Sequence, residues 1–200
     1  MTHDTNQVPL IGNLGSDPKF LGNGEHPGAR FDLATNETFG SEQRDMPAVV
    51  IYTDGACRPN PGVGGWAALL ISPPHPNQSR QISGAEASST NNRMELTAAL
   101  QALLALKVPC RVDLYTDSCY LRDPFENGWL ASWKSRQWRT AARKPVRNAD
   151  LWKQLSDVVS QHDVTWHWVE GHSGDEKNDL VDRLAVQARE ELANRLGNTP

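Results

Sequence analysis

Four acidic side chains stand where carboxylate chemistry is possible. Asp54 and Asp117 close two short apolar, β-branched runs, Tyr52-Thr53-Asp54-Gly55 and Tyr115-Thr116-Asp117-Ser118, so each falls at the carboxyl end of an expected strand. In open α/β sheets ligand sites form beyond such strand ends, which lets both carboxylates face one crevice. Glu95 lies in the first turns of an expected helix and Asp182 near the start of the last one. Carboxylates gathered at one point repel unless cations lie between them. An oxygen-only donor set suits Mg2+ or Mn2+. Each acid alone has a plainer reading. Asp before Gly at a strand end is about three times more often a turn residue than a ligand. Asn92-x-x-Glu95 fits a capping box, and an acid in a first helical turn suits the macrodipole. His172 reads as an exposed loop histidine, yet histidine is the side-chain type suited to proton exchange, and the flanking Gly171 and Gly174 permit movement.

The elements that must position these acids can be read from periodicity. Val49 to Thr53 and Gly65 to Ile71 form apolar runs around a Pro/Gly-rich turn and predict a hairpin; Ser79 to Ala87 is the third strand, after Pro73-Pro74-His75-Pro76. Thr90 to Lys107 carries Met94, Ala98, Ala102, Leu103 and Leu106 on one helical face and stops before Pro109. Arg111 to Thr116 alternates as a fourth strand, Ser118 to Lys134 is helical or irregular, and Asp150 to Gln161 is a helix. Val164 to Val169 is the fifth strand and Lys177 to Leu196 the terminal helix. Three strands followed by alternating helices and strands predict an α/β fold, a mixed sheet with helices on its faces.

Composition narrows the class. With 38% hydrophobic residues, the 200-residue chain can bury one ordinary core and carry an extra segment, so one catalytic domain (47–200) with an N-terminal appendage (1–46) is expected. No apolar run approaches the ~20 residues of a membrane span, and no secretion signal opens the chain, which predicts a cytoplasmic protein without membrane contact. Cys57, Cys110 and Cys119 form neither a C-x-x-C pair nor an even framework, so zinc and disulfide scaffolds are not indicated. The net charge of −4 resides in residues 1–46, where seven acids face three bases; the rest balances, with 17 of each sign. Within that neutral remainder, Trp129 to Asn148 holds Lys134, Arg136, Arg139, Arg143, Lys144 and Arg147 and no acid. A basic lobe on a neutral body suits a polyanion.

Tyr52-Thr53-Asp54-Gly55, Asn60-Pro61-Gly62, Thr90 to Leu96, Tyr115-Thr116-Asp117-Ser118 and Gly171-His172-Ser173-Gly174 with Asn178 and Asp182 resemble, in order and spacing, the signature blocks of type 1 ribonuclease H over about residues 48–195. The resemblance implies a five-stranded mixed sheet of order 3-2-1-4-5 and hydrolysis of the RNA strand of an RNA/DNA hybrid. It also implies two Mg2+ ions, with Mn2+ as a possible substitute, acting on either side of the scissile phosphate to leave 5′-phosphate and 3′-hydroxyl ends. Asp54 would bridge both ions, Glu95 and Asp117 would hold one and Asp182 the other, and His172 would assist proton transfer or product departure.

The same resemblance assigns substrate contacts. Cys57, Asn60, Asn91, Asn92 and the Glu95 carboxylate would line the hybrid's minor groove, with Asn178 counted among the substrate contacts and Thr90 in a pocket for a DNA-strand phosphate. Trp129, Lys134, Arg136 and Arg139 would belong to a basic protrusion, in which Trp133 and Trp138 have a plain reading as core. Three positions depart from bacterial relatives: Ser88 stands where an arginine often precedes the pocket threonine, Ser132 in place of a handle asparagine, and Cys119 where a glutamine commonly follows the third acid. His162 and His167 read as structural.

Val8 to Pro18 and Ala29 to Glu37 resemble the first two strands of bacterial single-stranded-DNA-binding proteins. About 30 residues cannot close a five-stranded barrel, so a partial hairpin or loosely ordered appendage is expected, which could contact single-stranded DNA or a protein partner. The catalytic part is expected to be a monomer. Two alternatives compete: a transposase-like strand-transfer enzyme, for which the chain lacks room for target-binding domains, and a catalytically weak hybrid- or single-stranded-DNA-binding protein, against which the four acids argue.

Overall fold

The computed structural model describes residues 46–73 and 75–197, together with four short strand segments ahead of them. The chain forms two compact units, 1–45 and 46–200. In the first, Asn13–Leu14 pairs antiparallel with Leu33–Ala34, and Lys19–Leu21 with Gly28–Arg30. The rest of the two segments that resemble single-stranded-DNA-binding proteins lies outside the described residues.

The second unit contains β1 (Ala48–Cys57), β2 (Gly62–Ser72), β3 (His75–Ser89), α1 (Asn91–Leu104), β4 (Arg111–Thr116), α2 (Cys119–Glu126), α3 (Trp129–Ser135), α4 (Ala149–Val159), β5 (Asp163–Trp168) and α5 (Glu176–Gly197). Its sheet runs β3-β2-β1-β4-β5, with β1, β2 and β3 antiparallel and β1, β4 and β5 parallel. This is the 3-2-1-4-5 order that the family resemblance implies. No described helix is long and apolar enough to cross a membrane.

The sheet separates two cores. Ile51, Leu114, Leu96, Leu100 and fully buried Trp152 belong to the larger, on the face covered by α1 and α4. Tyr52, Leu69, Val181 and Ala185 make the smaller, beneath α5. Because side chains alternate along a strand, Ile51 and Tyr52 necessarily serve opposite cores. Trp152 meets Tyr120, Phe125 and Trp133, so trimming it to alanine would cost about 3–5 kcal/mol.

Two boundaries differ from the sequence reading in ways that matter for the site. β1 does not stop at Thr53: it continues to Cys57, paired with β2 from Val50↔Ile71 through Cys57↔Gly64. Only its parallel ladder with β4 ends early, at Tyr52↔Tyr115. Asp54 and Asp117 therefore each lie two residues past the same rung. α1 is shorter than Thr90 to Lys107. Thr90 is its N-cap, with φ −134°, ψ 159° and a side chain that accepts from the Arg93 N–H, and the helix ends at Leu104, ahead of the Val108-Pro109 step that disfavours helical geometry. Burial of Met94 to Leu100 without interruption shows that α1 is enclosed on most sides and not along one stripe.

Candidate active site

The shared rung explains how two strands deliver two acids to one point. Tyr52 and Tyr115 stack at 4.7 Å between ring centroids on the α5 side of the sheet. Two residues on, side chains return to that side, so Asp54 and Asp117 emerge together beneath α5, the helix that carries Asp182. Glu95 arrives from the opposite face. Its backbone N–H lies so close to Gly55 that any Cβ there would collide with it, so only glycine lets α1 approach β1 at this level. One carboxylate oxygen each from Asp54, Glu95 and Asp117 then falls within 4.8 Å of the others. Asp182 lines the same cleft, a cavity of about 540 Å³, but stands outside this inner trio.

Neither of the plain helical readings of these acids fits. Glu95 is the fifth residue of α1, one turn past the capping position held by Thr90, and is 4% exposed. Asp182 is the seventh residue of α5, whose first turn is capped instead by the Asp175 carboxylate, accepting from the N–H groups of Lys177 and Asn178.

Electrostatics follow from the crowding. Burial first, and then repulsion from Asp117, pushes the Asp54 carboxyl from 3.8 up to about 7, although Asp54 accepts a 2.6 Å hydrogen bond from the Gly55 N–H. Glu95 is raised well above the ordinary range by burial and by Asp54. Asp117 is raised by burial, against the hydrogen bond from Asn178. The Asn91 side-chain amide donates to Glu95 Oε1 at 3.3 Å, while buried Glu95 Oε2 has no hydrogen-bond partner. A buried, unpartnered acceptor facing two more acids in an all-oxygen set is what a divalent cation would satisfy.

The remaining predicted residues divide. Asn60 accepts through Oδ1 from the Asn91 N–H at 3.2 Å, linking the β1–β2 turn to Asn91 and so to Glu95. Cys57 borders the cleft, but its thiol is turned toward the carbonyls of Pro59, Gly62 and Ser89. Asn178, expected among the substrate contacts, is only 2% exposed, and its side chain hydrogen-bonds Asp117. His172 occupies the bend after β5 with φ 56°; its side chain is 81% exposed, with Nδ1 3.7 Å from Asp182 Oδ2. The neighbouring Gly171 passes 2.7 Å from Asp117 Oδ2, measured from where a Cβ would sit, so a side chain there would displace the carboxylate.

Thr90 lines a second cavity of about 380 Å³ with Asn60, Asn92, Arg147 and Asn148. Ser132 is absent from it: that serine lies on α3, and Asn148, the left-handed N-cap residue of α4, is the asparagine beside Thr90. Arg147, read from the sequence only as one cation of the basic segment, supplies a positive charge to this pocket, and Asn148 escaped the sequence reading, although an asparagine before Ala149-Asp150-Leu151-Trp152 carries the signature of a helix start.

Lys134, Arg136 and Arg139 are exposed and lie away from the acids, Arg136 and Arg139 lining a separate cavity with Arg143. Trp133 and Trp138 pack against the main core, whereas Trp129 is 46% exposed. His167 and His162 are tied into the structure, His167 Nε2 at 2.8 Å from Asp113 Oδ1 and His162 Nδ1 accepting from the Cys110 N–H.

Comparison with known proteins gives a consistent picture. The sequence profile of the family named RNase H matches residues 46–190. The chain is similar to Ribonuclease H of Hydrogenovibrio crunogenus, 52% identical over 147 residues that cover 74% of this chain and 99% of that one. It is also similar to Ribonuclease H of Brucella ovis, 53% identical over 140 residues covering 70% and 88% respectively. Among solved structures, LC9-RNase H1, a type 1 RNase H with the type 2 active-site motif, aligns with TM-score 0.65 and 30% identity over 73% of this chain and 74% of that one.

Proposed function

The chain belongs to the type 1 ribonuclease H family, and from that premise we propose that its acidic cleft hydrolyses the RNA strand of an RNA/DNA hybrid with the help of two divalent cations, releasing 5′-phosphate and 3′-hydroxyl ends. The observation that supports this reading most is the meeting of three carboxylate oxygens within 4.8 Å, one from a glutamate whose other oxygen is buried and unpartnered. When bound, a pair of Mg2+ ions, or Mn2+ in their place, makes a water a competent nucleophile and stabilises charge on the departing 3′-oxygen.

The protein's own groups supply the rest. Asp54, on the central strand, would hold the cations together with Glu95, Asp117 and Asp182. Asn91 fixes one Glu95 oxygen and leaves the second for the ion. Asn178 holds Asp117 from behind. His172, exposed beside Asp182, exchanges a proton with the leaving oxygen and swings out with the product. Asn60, Asn91, Asn92 and Cys57 border the path of the minor groove, where 2′-hydroxyls distinguish RNA from DNA. Thr90, Asn148 and Arg147 receive a phosphate of the DNA strand, and Trp129 with the basic residues of 134–139 meets that strand farther along. The catalytic unit acts as a cytoplasmic monomer, and residues 1–46 form an appendage that contacts single-stranded DNA or a protein; deleting them should leave hybrid affinity within about twofold, and a larger loss would make them part of the hybrid site.

The direct test is an assay with labelled RNA/DNA hybrid, duplex DNA and duplex RNA, with Mg2+ and then with chelator. Cleavage of the hybrid's RNA strand alone, abolished by chelator, is expected; cutting of duplex DNA, or cutting that survives chelation, would contradict the proposal. The basic protrusion has its own test. Replacing Lys134, Arg136 and Arg139 together should flatten the dependence of log K on log salt by roughly two to three units if each meets a phosphate, and an unchanged slope would remove them from the interface.

A further inference from the structure

Beyond the acids, the cleft has a second charged feature that the family blocks do not contain. Arg58, just after β1, and Arg189, on α5, border the same cavity as Asp54, Glu95, Asp117 and Asp182. Arg189 lies seven residues, or two helical turns, after Asp182, so α5 presents an acid and an arginine on one stripe about 10 Å apart along its axis. Its placement is tightly defined: a Cβ built on Gly65 would stand 3.0 Å from the Arg189 Cβ, and Gly65 is paired with Ala56, two residues past Asp54. The Arg189 side chain is only 15% exposed. Arg58 is exposed, and among the described residues no acid pairs with it.

Charge balance gives this pair a purpose. Four carboxylates are offset by two divalent cations, so on the cleft lining Arg58 and Arg189 remain as fixed positive charges once the metals are bound. Arg189 does meet Glu190, at 2.8 Å, but that acid is its chain neighbour and 61% exposed, and such surface pairs contribute only about 0–1 kcal/mol. A phosphate oxygen displaces that partner readily, because guanidinium forks match it and are weakly hydrated. The 10 Å offset from Asp182 puts Arg189 past the scissile phosphate and not on it. The pocket of Thr90, Arg147 and Asn148 is a different cavity and is taken by the other strand.

We infer that Arg58 and Arg189 together grip a non-bridging oxygen of an RNA-strand phosphate flanking the scissile one, and so position that strand across the acids. The inference rests on the proposed use of the cleft for hybrid hydrolysis. It makes the two arginines positioning residues: they hold the strand and touch none of the reacting atoms.

The test uses the full chain with Mg2+ and hybrids in which one phosphate at a time, on the RNA or the DNA strand, is replaced by an uncharged methylphosphonate. Wild type is compared with Arg58→Gln, Arg189→Gln, Arg189→Lys and the double glutamine variant, each checked for an unchanged melting temperature. On unmodified hybrid the double variant should raise KM about 10-fold with kcat within about twofold, and Arg189→Lys should recover part of the loss. In wild type, one RNA-strand methylphosphonate next to the cleavage site should carry a KM penalty that disappears in the double variant. A wild-type KM in the double variant, a methylphosphonate penalty it retains at every RNA position, or a penalty lost only on the DNA strand would overturn the assignment. Wild-type cleavage of unmodified hybrid separates the two levels: its absence would overturn the reading of the cleft itself, whereas cleavage with unchanged KM would overturn the arginine grip alone.

Discussion

Replacing Asp54 with asparagine should lower kcat on an RNA/DNA hybrid by at least about 10³-fold and leave the fold intact. Asp54 is 6% exposed, has a carboxylate oxygen within 4.8 Å of those of Glu95 and Asp117, and is the acid through which both ion positions would be joined. Asparagine keeps the shape and can still accept from the Gly55 N–H, but it offers a neutral oxygen where two cations need a shared negative one. Losing about 4 kcal/mol of charge stabilisation at a phosphoryl centre corresponds to that factor. Asp117→Asn should behave similarly, because Asp117 is one of the three converging acids and has Asn178 built against it. Single-turnover rates and circular dichroism on the same samples check both halves of the expectation. Either variant cutting within tenfold of wild type would remove that residue from the chemistry.

The same substitution should stabilise the metal-free protein, and the gain should depend on pH. The folded Asp54 carboxyl is held at about 7, against 3.8 when unburied, chiefly by burial and by repulsion from Asp117. A carboxyl whose pKa is raised on folding takes up a proton in the native state that the unfolded chain does not bind, so its contribution to stability falls as pH rises from about 4 to about 7. Below that window wild type and Asp54→Asn should be nearly equivalent. Above it, Asp54→Asn should be more stable by about 2 kcal/mol, less than the ~4 kcal/mol the full displacement implies because the Gly55 hydrogen bond loses its charge assistance. At this size that is about 4–8 °C in Tm. Mg2+ should reverse the order at pH 8, raising the Tm of wild type and not of Asp54→Asn, and its effect should fade below about pH 6 as protons compete for the acids. Thermal melts at pH 4.5 and 8, with and without Mg2+, provide the check; a destabilised Asp54→Asn at pH 8 without metal would contradict the electrostatic account.

Most of the fold was legible because strand and helix periodicities here are strong and agree with the turn signals. Val49 to Thr53, Arg111 to Thr116 and Val164 to Val169 each show the apolar content of a strand, and their order with the intervening helices leaves few topologies. The converging acids were legible for another reason: two of them follow nearly identical Tyr-Thr-Asp tripeptides, and the register Tyr52↔Tyr115 turns that likeness into proximity. What sequence could not supply were properties of the third dimension. Whether Asn178 meets substrate or backs an acid depends on burial, and its immediate neighbours Lys177 and Asp179 give no sign that it turns inward. The pocket asparagine was sought at Ser132 in α3, whereas Asn148, at the start of α4, closes on Thr90 through the packing of α1 against α4, including the paired contacts of Arg93 with Asp150 at 2.9 and 3.1 Å. Arg58 and Arg189 lie 131 positions apart in the chain and come to line one cleft because α5 packs against β1 and β2. Among the interleaved aromatics of 129–138, Trp133 and Trp138 went to the core, the plain reading the sequence offered for them, while Trp129 stayed open.

The central claim, that Asp54, Glu95, Asp117 and Asp182 hold a pair of divalent cations, is tested most directly by anomalous scattering from Mn2+ in crystals of the protein with an RNA/DNA hybrid. Two Mn2+ peaks are expected, both coordinated by Asp54, one also by Glu95 and Asp117 and the other by Asp182, on either side of one RNA phosphate. Ions lying outside the cleft, or a bound hybrid with no Mn2+ on Asp54, would contradict it.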